Sequence, residues 1–315
     1  MSLIARLNVT LLTTAAVLVV LFGSASLWFE NFFSPFVISD LFSENAFLGI
    51  SALGMTLVIL SGGIDLSVGA VIGFTTIFVA TLIAEHDVSP WLAWPIALGV
   101  GTAYGAAMGA IIHFFKLPAF LVTLAGLFFA RGMAFCVTQQ SVQIRNETYE
   151  MVSEITIPFG EAEIGFTSIV FLVLLAAIAW VANFSPLGRN VFAIGGDEES
   201  AVLMGLPVAR TKVAVYAFNG FCSALAGIAM TLYMDSGNPI NAIGLELDVI
   251  AVVVIGGTLL SGGVGSFSGT LLGFLIYGTI YQITYFANLG SSIATIAIGA
   301  LLLAFILLQQ LLTPR

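Results

Sequence analysis

The sequence predicts an all-α membrane protein with about ten transmembrane helices, and three observations carry that reading. Of its 315 residues, 59% are hydrophobic and only 8% are charged, with a mean hydropathy of +1.11, whereas soluble chains carry about 25% charged residues. Apolar runs of roughly twenty residues recur from end to end, and at about 1.5 Å per residue each crosses a hydrocarbon core of about 30 Å. The runs are continuous rather than alternating, which selects helices over a barrel.

The first run, 9–29, follows Arg6 and is trailed by Trp28, Phe29, Phe32 and Phe33. No small-residue cleavage site follows it, so it reads as a retained span and not as a secretory leader. Further spans are expected at 42–60, 66–84, 90–114, 118–137, 165–184, 213–234, 249–260, 266–286 and 291–311. No polar stretch is long enough to form a separate soluble domain, so residues 1–315 read as a single transmembrane domain. An even number of spans with the N-terminus inside places Arg6, Lys116, Arg189, Arg210, Lys212 and Arg315 on the cytoplasmic side, six of the eight basic residues. That is the asymmetry expected of cytoplasmic loops. The opposite face then carries Glu85, Asp87, Glu147, Glu150, Glu154, Glu161, Glu163, Asp235 and Glu246, an acidic exterior.

Two stretches echo each other. Residues 59–74, ILSGGIDLSVGAVIGF, align without gaps on residues 259–274, LLSGGVGSFSGTLLGF, sharing Leu60, Ser61, Gly62, Gly63, Gly69, Gly73 and Phe74. Glycines and a serine in fixed register point to an internal repeat. In the ten-span count the copies run in the same direction, a parallel repeat of the kind transporters contain. The pairs Gly62–Gly63 and Gly262–Gly263 suit helix breaks, because glycine tolerates the left-handed backbone that closes a helix. Asp65 or Ser266 then suits the N-cap of the helix that follows. Gly69 with Gly73, and Gly269 with Gly273, are small residues four apart that permit close helix contact.

The loop 185–212 holds the signals of a short capped helix. Asp197 caps its start, Glu198 and Glu199 favour the positive end of its dipole, Gly205 closes it, and Pro207 forbids continuation. Its apolar face is Val202, Leu203 and Met204. A helix this short needs a partner surface, which is either the protein's own spans or another subunit.

Asp65 carries two readings: a helix cap at the membrane boundary, or a role in a pathway or gate. The second copy of the turn has Gly265 in its place, so the turn alone does not demand an acid. Arg131 either snorkels outward or neutralises a buried partner. Tyr216 and Asn219 offer hydrogen bonds to a polar cargo or between helices. Cys136 and Cys222 lack metal-type spacing and read as small packing residues rather than a disulfide or redox pair.

Several functions are excluded. Eight basic residues without a cluster give no footprint for nucleic acid. Lys116 and Lys212 are the only lysines and neither follows glycine, so the chain has no phosphate-binding loop of the G-x-x-x-x-G-K-[ST] kind. His86 and His113 are too scattered for a metal site, and no acid, base or nucleophile constellation supports an enzyme. Apart from Asp65 and Arg131 the spans hold almost no charge, which argues against an ion-coupled secondary transporter and for a neutral cargo.

Four ordered blocks resemble the permease subunits of bacterial monosaccharide ABC importers, the ribose, xylose and galactose type. They are GMTLVILSGGIDLSVGAVIGF, KLPAFLVTLAGLFFARGMA, the stretch from GRNVFAIGGDEESAVLMGLPVARTK to FNGFCSALAG, and LELDVIAVVVIGGTLLSGGVGSFSGTLLGF. Among members the chain is most similar to the galactofuranose type. The resemblance implies a subunit of the bacterial inner membrane that works with a second permease, identical or different. It also implies a cytoplasmic ATPase that holds the ATP and Mg, and a periplasmic sugar-binding protein. Residues 197–205 would be the coupling helix, seated in a groove of the ATPase. Family members often carry Asn where Asp197 stands, and GLPV replaces a more usual Gly-Ile pair, so the fit to the ATPase is individual. The related branched-chain amino-acid permeases share the plan but not the GGIDLS string. On this reading Ser61, Asp65, Ser67 and Ser261 at the breaks, with Tyr216, Phe218 and Asn219, are the candidates for a translocation path or gate.

Overall fold

A computed structural model describes the backbone of residues 3–312 and the side chains of residues 10–309. The side chain of Arg6 and all of Arg315, both counted in the charge asymmetry, lie outside the described residues. In chain order the elements are α1 (Leu3–Trp28), α2 (Pro35–Ser43), α3 (Ala46–Leu60), α4 (Val68–Ala84), α5 (Pro90–Phe114), α6 (Ala119–Val137), β1 (Val142–Gln143), α7 (Glu147–Ser153), β2 (Thr156–Phe159) and β3 (Ala162–Gly165). There follow α8 (Phe166–Phe184), α9 (Pro186–Gly196), α10 (Glu198–Leu203), α11 (Val208–Met234), β4 (Ser236–Gly237), α12 (Leu245–Ile255), α13 (Phe267–Phe286) and α14 (Ser291–Leu312).

Six helices, α1, α5, α6, α8, α11 and α14, are long and apolar enough to cross a membrane. The pair α2–α3 makes a seventh if it is one span bent by 56°. The expected span 42–60 is therefore corrected. Pro35 at the first turn and Ser34, which accepts from the Val37 amide, start a separate helix ahead of it. Asn45 then leaves helical geometry, and its side-chain Nδ2 donates back to the Leu41 carbonyl at the bend. The expected span 249–260 also changes: α12 stops at Ile255, because Gly257 turns into the left-handed region at φ +93° five residues ahead of the predicted Gly262–Gly263 break.

Burial sorts these helices into layers. Every residue of α3 except Phe47 is buried, and the apolar stretch of α11 is mostly buried while that of α1, from Thr10 to Trp28, is mostly exposed. A membrane core gains no hydrophobic drive between helices and relies on close packing, and the largest crossing, α5 on α11, shows how. Gly101, Gly105 and Gly109 form a stripe along α5, and a side chain at Gly105 would overlap the Tyr216 carbonyl while one at Gly101 would strike Gly220. This stripe places Tyr216 and was not singled out in the sequence. The predicted pair Gly269 and Gly273 does bring α13 onto α12, at Gly256 and Val252. Gly69 packs against Ala242 and Glu246 at the start of α12, and Gly73 against Asn241 and the Arg131 side chain of α6.

The fold is helical with two small strand pairs that an all-α reading missed. β1 pairs antiparallel with β4, Val142 opposite Gly237, and the Ile144 amide donates to the Asp235 carbonyl at 2.8 Å. β2 pairs with β3 as a hairpin turned at Gly160, which has φ +65°. Both lie on the opposite end of the bundle from α10. Glu246, expected in the acidic exterior, is half buried at the start of α12, with its Oε2 enclosed and without a hydrogen-bond partner among the described residues.

Candidate functional site

One end of the bundle gathers α9, α10, the loops after α3 and α12, and the turn after α5. Sequence dictates α10 residue by residue. The Asp197 carboxylate accepts from the Ser200 amide at 2.9 Å, and Glu198 and Glu199 occupy the positive first turn. Gly205 takes φ +75°, while the Leu206 amide reaches back to Ala201 and the Gly205 amide to Val202. That closure matches a glycine-terminated helix end. Ala201 is wholly buried and seats α10 on Ile194 and Val208. A salt bridge from Lys212 to Glu198 at 2.6 Å ties it to α11. The predicted apolar face points the other way: Val202 is 56% exposed, Leu203 88% and Met204 67%.

α9 was not foreseen within the loop. Its signal was present in Ser185–Pro186, since the Ser185 side chain caps the Gly188 amide and Pro186 sits in the first turn. α11 also begins at Val208, five residues ahead of the expected 213.

The two predicted breaks lie side by side at this end. Gly62 has φ +81°, Gly262 +87° and Gly263 +73°, and the Gly263 amide donates to the Leu60 carbonyl at 2.9 Å. Ser266 is the N-cap of α13, accepting from Gly269 at 3.0 Å. Asp65 is not the N-cap of α4, a place taken by Ser67. One Asp65 oxygen accepts from the Ser67 amide at 2.8 Å and the Ser67 hydroxyl at 2.6 Å. Its other oxygen accepts from Asn219 Nδ2 at 2.8 Å. The carboxylate thus supports the turn from two residues upstream and links it to α11. All three residues are buried.

A cavity of roughly 1040 Å³ opens at this end, walled by Ser61–Gly63, His113, Lys116, Lys212, Tyr216 and both the acidic residues of α10 and its Val202 and Leu203. Small-molecule sites run to about 1,000 Å³. Tyr216 is 1% exposed and its hydroxyl, set against Gly63, has no hydrogen-bond partner among the described residues. Asn219 Oδ1 is likewise enclosed and unpartnered. The structure therefore brings Ser61, Tyr216 and the α10 residues to one cavity, with Asp65, Ser67 and Asn219 directly behind it. Ser261 is exposed beside the second break. Phe218 lies apart, half buried and stacked on Phe221. Arg131 does not snorkel: its guanidinium donates to the carbonyls of Pro239, Asn241 and Gly69, pins the loop after β4 and lies within electrostatic reach of the half-buried Glu246. Among the described residues no group of His, Cys, Asp and Glu suits a metal ion, and both cysteines are free.

Residues 37–307, from α2 through most of α14, match the family described as the branched-chain amino acid transport system permease component. The chain belongs to this permease family. As a permease it is a transport component rather than an enzyme. It is 44% identical over 312 residues to the inner membrane ABC transporter permease protein YjfF of Escherichia coli (strain K12), covering 97% of this permease and 93% of that protein. It is 34% identical to the fructose import permease protein FruG of Bifidobacterium longum (93% and 88% covered). It is 33% identical to the ribose import permease protein RbsC of Haemophilus influenzae (95% and 92% covered). Such coverage means the likeness runs through both breaks and α10 instead of resting on one segment.

Proposed function

We propose that this permease is a membrane subunit of an ATP-driven importer that carries a monosaccharide across a bacterial inner membrane. Family membership and sugar-importing relatives support the cargo class. The observation that carries the coupling is α10: a six-residue helix, capped and bolted to the bundle, presents Val202, Leu203 and Met204 outward. Three large apolar side chains held outward beside charged residues are a docking feature, and their partner in this reading is a groove on a separate ATPase subunit that binds ATP and Mg.

That assignment puts the α10 end and both chain termini in the cytoplasm. α2–α3, α4, α12 and α13 then complete ten full or partial crossings, with the two SGG breaks as matching elements of a repeat. A sugar-binding protein delivers cargo at the opposite end, and a second permease, identical or not, completes the path within the lipid. Ser61, Tyr216, Asn219 and Ser261, with Asp65 and Ser67 behind them and Phe218 along α11, form the polar and aromatic candidates for that path. The galactofuranose preference rests on the four sequence blocks. Neither a branched-chain amino acid as cargo nor an ion-driven cycle draws support from the sugar-importing relatives or from the scarcity of buried charge.

Reconstitution of the permease with its ATPase and binding protein in vesicles tests this. ATP-dependent uptake is expected, with galactofuranose ahead of ribose and fructose in direct comparison. Uptake by this chain alone on a proton or sodium gradient overturns the reading.

A further inference from the structure

Backbone from three stretches far apart in sequence comes together behind α10, at Gly62, Gly195–Gly196 and Gly262–Gly263. A Cβ built on Gly262 falls 2.8 Å from Gly62 Cα and 2.8 Å from the Gly195 carbonyl oxygen. One on Gly263 falls 2.8 Å from Gly196 Cα, and one on Gly195 overlaps the Leu60 carbonyl and lies 2.6 Å from the Gly263 nitrogen. The Gly263 amide closes the group by its bond to Leu60. Three backbones touch here without a side chain between them.

We propose that Gly195 and Gly263 are positioning residues for transport, acting as the rigid link through which α10 sets both helix breaks. The inference rests on the reading of α10 as the ATPase contact. The residue after Gly196 is Asp197, the cap of α10, and Ile194, Ala201 and Val208 lock α9, α10 and the start of α11 into one cluster. A displacement of α10 therefore arrives at these glycines undiminished, because backbone against backbone has no rotamer with which to yield and packed interiors are nearly incompressible. From Gly63 it reaches Asp65 within two residues, and through Asp65 the start of α4 and Asn219 on α11. From Gly263 it reaches the Ser266 cap of α13.

Gly196 supplies an internal control, since a Cβ there meets nothing within 4 Å. In the reconstituted importer, Gly195→Ala and Gly263→Ala are expected to assemble and hydrolyse ATP while the sugar moved per ATP falls by roughly tenfold, a smaller loss than the hundredfold that an ångström of misplacement can cost a reaction. Gly196→Ala, one residue from the first variant, is expected to keep the wild-type ratio. An unchanged ratio in Gly195→Ala, or transport and hydrolysis falling in proportion, overturns the proposal. If neither disruptive variant reaches the membrane, spin labels at Gly196→Cys and Leu260→Cys, in a background lacking Cys136 and Cys222, decide it. Their dipolar broadening stays constant through the ATP cycle if the link is rigid, and a change on nucleotide binding overturns it. ATPase binding that ignores Leu203→Ala speaks against the α10 contact, whereas normal binding with an unchanged ratio speaks against the glycine link alone.

Discussion

Replacing Leu203 by alanine separates a docking residue from a structural one. Leu203 is 88% exposed in the free permease, so its truncation changes the stability of this subunit by no more than about 0.5 kcal/mol, as for other surface positions. On the proposed coupling role the same side chain becomes buried in the ATPase. Removing three carbons at about 0.8 kcal/mol each costs about 2.4 kcal/mol, or roughly fiftyfold in affinity. Incomplete burial in the groove lowers that figure, which makes it an upper bound. The assay is titration of the ATPase subunit onto the detergent-solubilised permease, with thermal unfolding run in parallel. Weakened binding with an unmoved unfolding midpoint is expected. Equal affinity for variant and wild type would remove Leu203 from the contact. A fall in the midpoint would mean that the side chain packs within its own subunit.

Three other substitutions probe the supports of the site. Asp197→Ala removes the acceptor of the Ser200 amide; a lost cap is worth about 1 kcal/mol, so ATPase affinity is expected to drop about fivefold, read in the same titration. Asn219→Leu takes the Nδ2 donor from buried Asp65 and is expected to destabilise the subunit by about 1–3 kcal/mol, visible as a lower unfolding midpoint; an unmoved midpoint would show that the bond contributes nothing. Gly105→Leu drives a side chain into the Tyr216 carbonyl and is expected to prevent α5 and α11 from docking, leaving no monodisperse protein after solubilisation, whereas Gly99→Leu on the same helix, with open space around it, leaves yield unchanged.

What the sequence revealed followed local chemistry. The span 90–114 was read at both ends because Pro90 and the aromatic pair Phe114–Phe115 mark them, and α10 was read in full because Asp197, Gly205 and Pro207 are all local signals. Much of what it concealed depended on contacts between distant residues. The bend falls at the polar triplet Ser43–Glu44–Asn45, a local signal that a span drawn from residue 42 ran across. The early end of α12 came from choosing Gly262–Gly263 as the break when the preceding Gly256–Gly257 pair stops the helix. β1 and β4 are two residues each, with no alternation to betray them, and they form only because the ends of α6 and α11 lie together. Asp65 was recognisable as costly, yet that its partners are Ser67 and Asn219 required the path of α11. Nothing in the sequence announced that the α9 glycines would join those of the two breaks.

The short ladder between β1 and β4 ties the far end of α11 to the strand that follows α6. Any tilt of α11 about that fastening behaves as a door swinging on its hinge. At about 1.5 Å per residue its 27 residues make an arm of about 40 Å, so a tilt of roughly 5° carries the free edge about 3.5 Å. That edge is where Val208 and Lys212 meet α10, so a tilt about this fastening would have its smallest stroke at one mouth and its largest at the other.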